Sequence, residues 1–569
     1  MKILGLNHDM YISSAALIIN GKIVAACSEE RLNREKLTRV FPTKAINYCL
    51  KKANINFDQI DYITNSYNPA VHLKKFHSIF SNYRRFRGDY YYSIPDFLAK
   101  NDKQIKKDSD YSCQKIRLGK KELNIYYVTH HLCHAANGFY LSPFKKSAIL
   151  TSDGTGEDDT VNFLTGDNNK IKLLKGLKIP HSTGSFYSTF TEFFGYKPEA
   201  DEWKVMALSA YGSKNNKYYK IIKNMIDLKP DGSFELNQSY FKEHNTTIPN
   251  FYTDNFIKLL GKPKQKNEKF NRKDYEIASA MQQVFEDICF HMLRYLYSKT
   301  KIKNLVLSGG SFMNSVFNGK AEKFSPFNNV WLSSCPDDSG QSIGSALYLY
   351  NNILKKKTRY ELKHNFFGPS FKSEEVKKDL IKYKVNFKYK KNITKIVSQE
   401  LANGKLVGWF QGQMEFGQRA LGNRSILADP RKLNSKSRVN NAVKYREGFR
   451  PFAPAVIDEY AHEFFDLKKG QKVPFMEKVV LVKKGKRNLI PAVVHKDFTA
   501  RVQTVDSKTN NLFYKLIGDF YKITGIPILL NTSFNLNGEP IVCSPTDAIR
   551  TFYSCGLDIL AIDNYLIYK

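Results

Sequence analysis

The stretch SAILTSDGTGEDDTVNFLTGDNNKIKLL, residues 147–174, reads as a strand, a Gly/Asp loop, a second strand, a tight turn and a third strand. Short apolar runs bounded by Gly, Asp and Asn are what such an order requires. The same order opens the chain. Residues 3–6 form an apolar run, NHDMYISS is a polar loop, and AALIINGKIVAAC is two apolar runs joined by Asn20-Gly21. Asn-Gly supplies the two positive φ angles of a two-residue hairpin. A repeated unit of this kind predicts an internally duplicated α/β fold with two similar halves facing each other.

The rest of the chain fits around that repeat. Ile277, Met281, Val284, Ile288, Met292 and Tyr295 recur at steps of three and four, the period of an amphipathic helix. That helix leads into NLVLSGGSFMNSVFNGKA, a strand, a double glycine and a helix. Backbone N–H groups at Gly309 and Gly310, with Asn314 beyond them, form a candidate cradle for phosphate or adenosine. Residues 351–370 are basic, irregular and broken by Gly-Pro, which places a domain boundary there, at 357/358. A second α/β region with its own strands, KLVGWFQG and GIPILLNTS, follows.

Composition narrows the function classes. A chain of 569 residues is long enough for two or three domains. No run approaches eighteen apolar residues, so no membrane span is expected. The N-terminus carries no signal-peptide core, and the eight cysteines form no C-x-x-C pair. Together these predict a cytoplasmic protein without a disulfide framework or zinc knuckle. The net charge of +34 is the one feature favouring nucleic acid, but the surplus lysines are spread along the chain rather than gathered in a stripe.

Two groups of residues could carry chemistry. His130 and His134, in THHLCHAANGFY, are four apart. On a helix they share a face about 6 Å apart along the axis, close enough to bind one divalent ion. Asp153, ending an apolar run, adds an oxygen donor, and Asp337 and Asp338 compete for a further one. The alternative is a strand-end His130 and a core His134. His131, between them, faces elsewhere, and His8-Asp9 after the first strand is a candidate for acid–base work. Downstream, Arg419, Arg424, Arg431, Lys444, Arg446 and Arg450 fall within thirty-odd residues, interleaved with glycine, aromatic and aliphatic residues. With Arg501, Asn531, Thr532, Ser533 and Asn535 they suit a pocket for a polyanion such as a nucleotide or an acyl phosphate. No Walker A motif is present.

These residues also carry a family resemblance. GLNHD, SEERLNREK, HHLCHA, SDGTGE, EWKVMALSAYG, LSGGSFMNSVFNGK, PDDSGQSIGSAL, GQRALGNRSILADPR, VKYREGFRPFAP, TARVQTV and LLNTSFNLNGEPIVCSP span nearly the whole chain. In that order they resemble the O-carbamoyltransferases of the nodulation (NodU) and antibiotic-biosynthesis type. The resemblance implies an actin-like (ASKHA, duplicated ribonuclease H-like) domain over 1–357 and a YrdC-like domain over 358–569. It implies that the second domain makes carbamoyl adenylate from carbamoyl phosphate and ATP, with Mg2+ accompanying the ATP, and that the first transfers the carbamoyl group to a hydroxyl. It further implies a divalent metal, iron, on His130, His134, Asp153 and Asp338. His8 would stand at the acceptor site, and Arg419, Lys444, Arg450, Arg501 and Ser533 would bind carbamoyl phosphate and ATP.

The chain departs from the family pattern in four places. Two extra residues follow His8-Asp9, Gln418 stands for a proline, and Trp203 and Phe498 stand for glycines. The expected acceptor is a small-molecule or sugar hydroxyl, and homo-oligomerisation is left open. The competing readings are carbamoylation of a nucleic acid or nucleotide and a non-catalytic actin-like nucleotide-binding protein.

Overall fold

The structure is a computed structural model that describes residues 1–8, 11–69, 71, 110–119, 121–242, 251–445 and 447–569. Asp9 of the His8-Asp9 pair, Met10 beside it, and Arg446 of the basic cluster lie outside the described residues.

The chain divides into two compact units. The first comprises Met1–Ala25, Arg39–Asn314 and Lys320–Leu362, and the second Ala26–Thr38, Ser315–Gly319 and Lys363–Lys569. Neither is continuous in sequence, because two short pieces from earlier in the chain count with the second unit.

The first unit holds two sheets of the same design. In one, β1 (Lys2–Asn7), β2 (Ser14–Ile19) and β3 (Lys22–Ser28) form an antiparallel meander. β4 (Tyr62–Asn65) then pairs parallel to β1, and β6 (Lys121–Val128) parallel to β4. An edge strand, β5 (Tyr111–Leu118), pairs antiparallel to β6. In the other sheet, β7 (Lys146–Ser152), β8 (Asp159–Asp167) and β9 (Lys170–Lys178) form the meander. Beyond the small hairpin of β10 (Ile226–Leu228) and β11 (Phe234–Leu236), β12 (Asn304–Ser308) pairs parallel to β7 and β13 (Asn329–Leu332) parallel to β12. The orders β3-β2-β1-β4-β6 and β9-β8-β7-β12-β13 coincide strand for strand. This is the duplicated, actin-like arrangement. Both meanders turn where the sequence provides positive φ: Asn20 (51°) and Gly21 (82°) in one, Asn168 (53°) in the other.

Three helices matter for the site. α1 (His130–Phe139) leaves the last strand of the first sheet and packs against β7, β8 and β12 of the second. α2 (Arg272–Thr300) is the amphipathic helix, capped by a reciprocal Asn271–Asp274 box. α3 (Gln341–Leu347) leaves the second sheet and packs against β1 and β2 of the first. α1 and α3 therefore cross between the sheets, and every residue of each is buried. Small residues allow it. A Cβ on Gly344 would lie 2.0 Å from the Cys133 carbonyl oxygen, and one on Gly5 would lie 1.8 Å from that of Ser342.

The second unit is built on one mixed eight-stranded sheet, β14 (Lys388–Tyr389), β23 (Tyr565–Tyr568), β22 (Ile559–Ile562), β15 (Val407–Phe410), β16 (Arg424–Ala428), β21 (Ile528–Ser533), β17 (Ala453–Ile457) and β20 (Gln503–Val505) in spatial order. A short pair, β18 (Val479–Leu481) and β19 (Thr499–Arg501), lies apart from it. Helices Ile393–Ala402 and Asn511–Thr524 pack together, and Trp409, Phe520, Leu529 and Leu560 belong to one apolar core.

Candidate metal centre and anion site

Four potential ligands converge in the first unit. His130 and His134 lie on one face of α1, one turn apart. Asp153 follows β7, and Asp338 sits in the 3-10 turn that opens α3. One donor atom from each of His130, His134, Asp153 and Asp338 lies within 4.8 Å of all the others. His134 Nε2 is 2.8 Å from Asp153 Oδ2 and 3.4 Å from Asp338 Oδ1, and His130 Nε2 is 3.7 Å and 3.5 Å from the same atoms. The two imidazole Nε2 atoms are 3.1 Å apart. Both histidines are 0% exposed.

Electrostatics couples these groups. Burial lowers the His134 pKa, but the Asp153 and Asp338 carboxylates outweigh it and hold the ring at about 9. Burial opposes ionisation of Asp153, yet His130 and His134 keep its carboxyl well below the usual carboxylate range. The cluster thus demands positive charge at its centre. A divalent ion meets that demand, and two imidazole nitrogens with two carboxylate oxygens suit a borderline metal such as iron, zinc or manganese. Among the described residues, Gln341 Oε1, beside this cluster, is a buried side-chain atom without a hydrogen-bond partner, which fits a site organised around something other than protein.

The backbone orients the carboxylates. The Gly154 N–H donates to Asp153 Oδ1 at 2.6 Å and the Gly310 N–H to Oδ2 at 2.9 Å. Gly309 has φ 106°, and a Cβ there would be 2.2 Å from the Ser152 carbonyl oxygen. The double glycine therefore serves close approach to Asp153, and its Gly309 N–H is bonded to the Pro336 carbonyl. Asp337 accepts from the Ser339 hydroxyl at 2.6 Å, whereas Asp338 faces the histidines, its Oδ1 3.5 Å from His130 Nε2. His131 turns away to Thr151 Oγ1 (2.8 Å) and the Asp159 carbonyl (3.0 Å). His8 meets Asn65 Nδ2 at 2.9 Å and lies edge-on to Phe41, with ring centroids 5.1 Å apart. Asn314 is engaged with Gln282 on α2 through two amide hydrogen bonds.

Sequence reasoning missed two residues at this centre. Glu157 accepts the N–H groups of Asn68 (2.8 Å) and His130 (3.1 Å), anchoring the start of α1, and burial raises its carboxyl to about 7. Gln341 stands three residues after Asp338, so helical spacing was the signal available for it.

In the second unit, Lys444 and Ser533 meet directly. Lys444, a residue only 4% exposed, donates from Nζ to the Ser533 carbonyl (2.6 Å) and hydroxyl (3.3 Å) and to Asn535 Oδ1 (2.7 Å) and its carbonyl (3.0 Å). Asn531, on the same strand, turns its amide to Gln503 Oε1 (2.9 Å) and the Ala420 carbonyl (3.2 Å). Arg450 is held by Glu447 at 3.2 Å, Arg501 ends β19, and Arg419 precedes Ala420 in the loop that Asn531 contacts. Two arginines of the sequence cluster are committed elsewhere. Arg424 is 0% exposed, donates to the carbonyls of Gln411, Gly412, Asn423 and Pro369, and stacks 3.6 Å over Phe410. Arg431 forks onto Asp429.

The duplicated actin-like unit carries the His2Asp2 cluster, and a separate α/β unit carries a buried lysine. The chain belongs to the carbamoyltransferase family: Carbamoyltransferase N-terminus matches residues 2–347, and Carbamoyltransferase C-terminus matches residues 398–569. It is similar to nodulation protein NolNO of Sinorhizobium fredii, at 35% identity over 99% of this chain and 80% of that one. It is also similar to the 3'-hydroxymethylcephem-O-carbamoyltransferase of Streptomyces clavuligerus, at 26% identity over 76% of this chain and 78% of that one. Among solved structures, the activator of the 2-hydroxyisocaproyl-CoA dehydratase from Clostridium difficile with bound ADPNP aligns over 64% of this chain and 100% of its own, at 15% identity and a TM-score of 0.32. Among the described residues, no helix is long and apolar enough to cross a membrane.

Proposed function

We propose that this carbamoyltransferase acts in two steps on a small-molecule hydroxyl, the acceptor class suggested by the name of the cephem relative. In the first step, carbamoyl phosphate, ATP and one water give carbamoyl adenylate, phosphate and pyrophosphate in the YrdC-like second unit. Lys444, Arg419, Arg450, Arg501, Ser533 and Asn531 hold the anionic substrates there, with Mg2+ on the ATP. In the second step, an acceptor hydroxyl attacks the carbamoyl carbon in the first unit, the C–O bond to AMP breaks, and AMP leaves.

The observation that carries this reading is the convergence of His130, His134, Asp153 and Asp338 in a chain matched at both ends by carbamoyltransferase domains. A divalent ion on those four residues would supply Lewis acidity to the adenylate. His8, held by Asn65, takes the proton from the acceptor hydroxyl, and the buried surroundings of α1 and α3 keep water from the mixed anhydride.

The test uses carbamoyl phosphate with ATP labelled at the α-phosphate. Wild type should release pyrophosphate and form labelled carbamoyl adenylate. K444A should lose both, and H130A should keep both while losing transfer to a hydroxyl acceptor. The reading fails if no adenylate forms, if K444A matches wild type, or if H130A abolishes pyrophosphate release.

A further inference from the structure

The Gln341 carboxamide is wedged against the candidate metal centre. Its Nε2 lies 2.9 Å from His134 Nε2, 3.0 Å from both ring nitrogens of His130, and 3.0 Å from Asp338 Oδ1. The residue is 0% exposed, and its Oε1 has no partner among the described residues. As a hydrogen-bonding arrangement this is poor. The NH2 group has two protons for four polar neighbours, all of them on three residues that face one centre. The oxygen, which needs a donor when buried, has none.

Rotating the terminal amide by 180° exchanges oxygen and nitrogen with almost no change of shape, and the two orientations are told apart only by their partners. The partners here favour oxygen. Neighbouring donors on a six-coordinate ion with bonds of about 2.1 Å are about 3.0 Å apart. Gln341 stands at that spacing from atoms of His130, His134 and Asp338. Its position follows from the helix. Asp338 and Gln341 are three residues apart at the opening of α3, on one face, just as His130 and His134 share a face of α1. Each of the two crossing helices thus presents a pair of donors.

We infer that Gln341 supplies a fifth donor to the metal centre through its carboxamide oxygen. The inference rests on the metal reading given under Proposed function. Two imidazoles, two carboxylates and one carboxamide would leave a six-coordinate ion one position for a substrate oxygen, as a catalytic site requires.

The rival role for Gln341 is N–H donation to the ligands, and two variants separate them. The full chain, stripped with chelator and titrated with Co2+, is followed by its visible d–d bands and by competition against a chromophoric chelator, with circular dichroism confirming the fold. Q341A should bind Co2+ about 10- to 100-fold more weakly, with bands intensified by the lower coordination number. Q341E keeps an oxygen at the same place but has no N–H. It should bind Co2+ at least as tightly as wild type, with bands of similar intensity. Wild-type bands and affinity in Q341A overturn the inference, and so does loss of Co2+ binding in a folded Q341E. A wild-type chain that takes up no Co2+ overturns the metal centre itself, and this is distinct from either result with the variants.

Discussion

Glu202 shows how one half-buried residue makes a pH-dependent demand on the fold. Its Oε1 accepts from the Ser188 hydroxyl (2.8 Å) and the Glu199 N–H (2.6 Å), and burial raises its carboxyl to about 7. In an unfolded chain a glutamate titrates at ~4.3. Between those values the folded chain holds a proton that the unfolded chain has released. This group's contribution to stability is therefore full below about pH 4 and is lost as pH rises through 7. E202Q keeps the acceptor oxygen and removes the ionisation. Its unfolding free energy in urea, relative to wild type, should improve between pH 5 and pH 8 by about 2–3 kcal/mol. An equal difference at both values would show that Glu202 does not titrate in that window. At this scale the sequence was only partly legible. It marked Arg424 as one of a cationic cluster, but the guanidinium is consumed by four carbonyl groups and the Phe410 ring. Nothing in the residue's neighbours along the chain distinguishes a structural arginine from one that binds an anion.

The elements that position the candidate metal centre are α1 and α3, and their approach depends on glycine. A Cβ on Gly344 would lie 2.0 Å from the Cys133 carbonyl oxygen and 3.2 Å from the Asn137 Cβ, both atoms of α1. Backbone that close cannot yield without the helices parting. G344A should therefore destabilise the first unit by about 1–3 kcal/mol and weaken Co2+ binding at least tenfold. Equilibrium denaturation and metal competition measure the two effects. Wild-type metal affinity in G344A would mean that the spacing of α1 and α3 does not set the geometry of the centre. Strand order, by contrast, was legible from local pattern. The Asn20-Gly21 hairpin and the repeat at 147–174 are short-range signals, and both meanders formed where those signals lie. The role of Gly309-Gly310 was not legible in this way. A double glycine after a strand suits a phosphate cradle and a close approach to Asp153 equally well, and only the neighbouring strand decides between them.

At the scale of the whole molecule, the second unit borrows from the N-terminal half. Leu32 packs on Met414, Ala420, Ile541 and Cys543. Arg31 donates to the Gly417 carbonyl at 3.0 Å, and Arg34 donates to the carbonyls of Ile541 (2.7 Å) and Pro540 (2.8 Å) while facing Asp547 at 3.5 Å. A fragment cut at 358 leaves these carbonyls and this apolar patch uncovered. A peptide of residues 22–40 should bind fragment 358–569 and raise its Tm by several degrees, and the same peptide with L32A and R34A should not. An unchanged Tm with the wild-type peptide would show that the segment adds nothing to the unit's stability.

The duplicated α/β order, the family and the types of residue available for chemistry were readable from the order of the amino acids alone. Those follow from short-range pattern and from ordered motifs. The tertiary structure decided how the side chains are used: Asp338 rather than Asp337 toward the histidines, Gln341 among them, Glu157 beneath His130, and Arg424 buried in structure. Each of these depends on how a helix is rotated against a strand far away in the chain. Spacing along a sequence records which residues share a face, but the partner that face meets is fixed only when the helices and sheets pack.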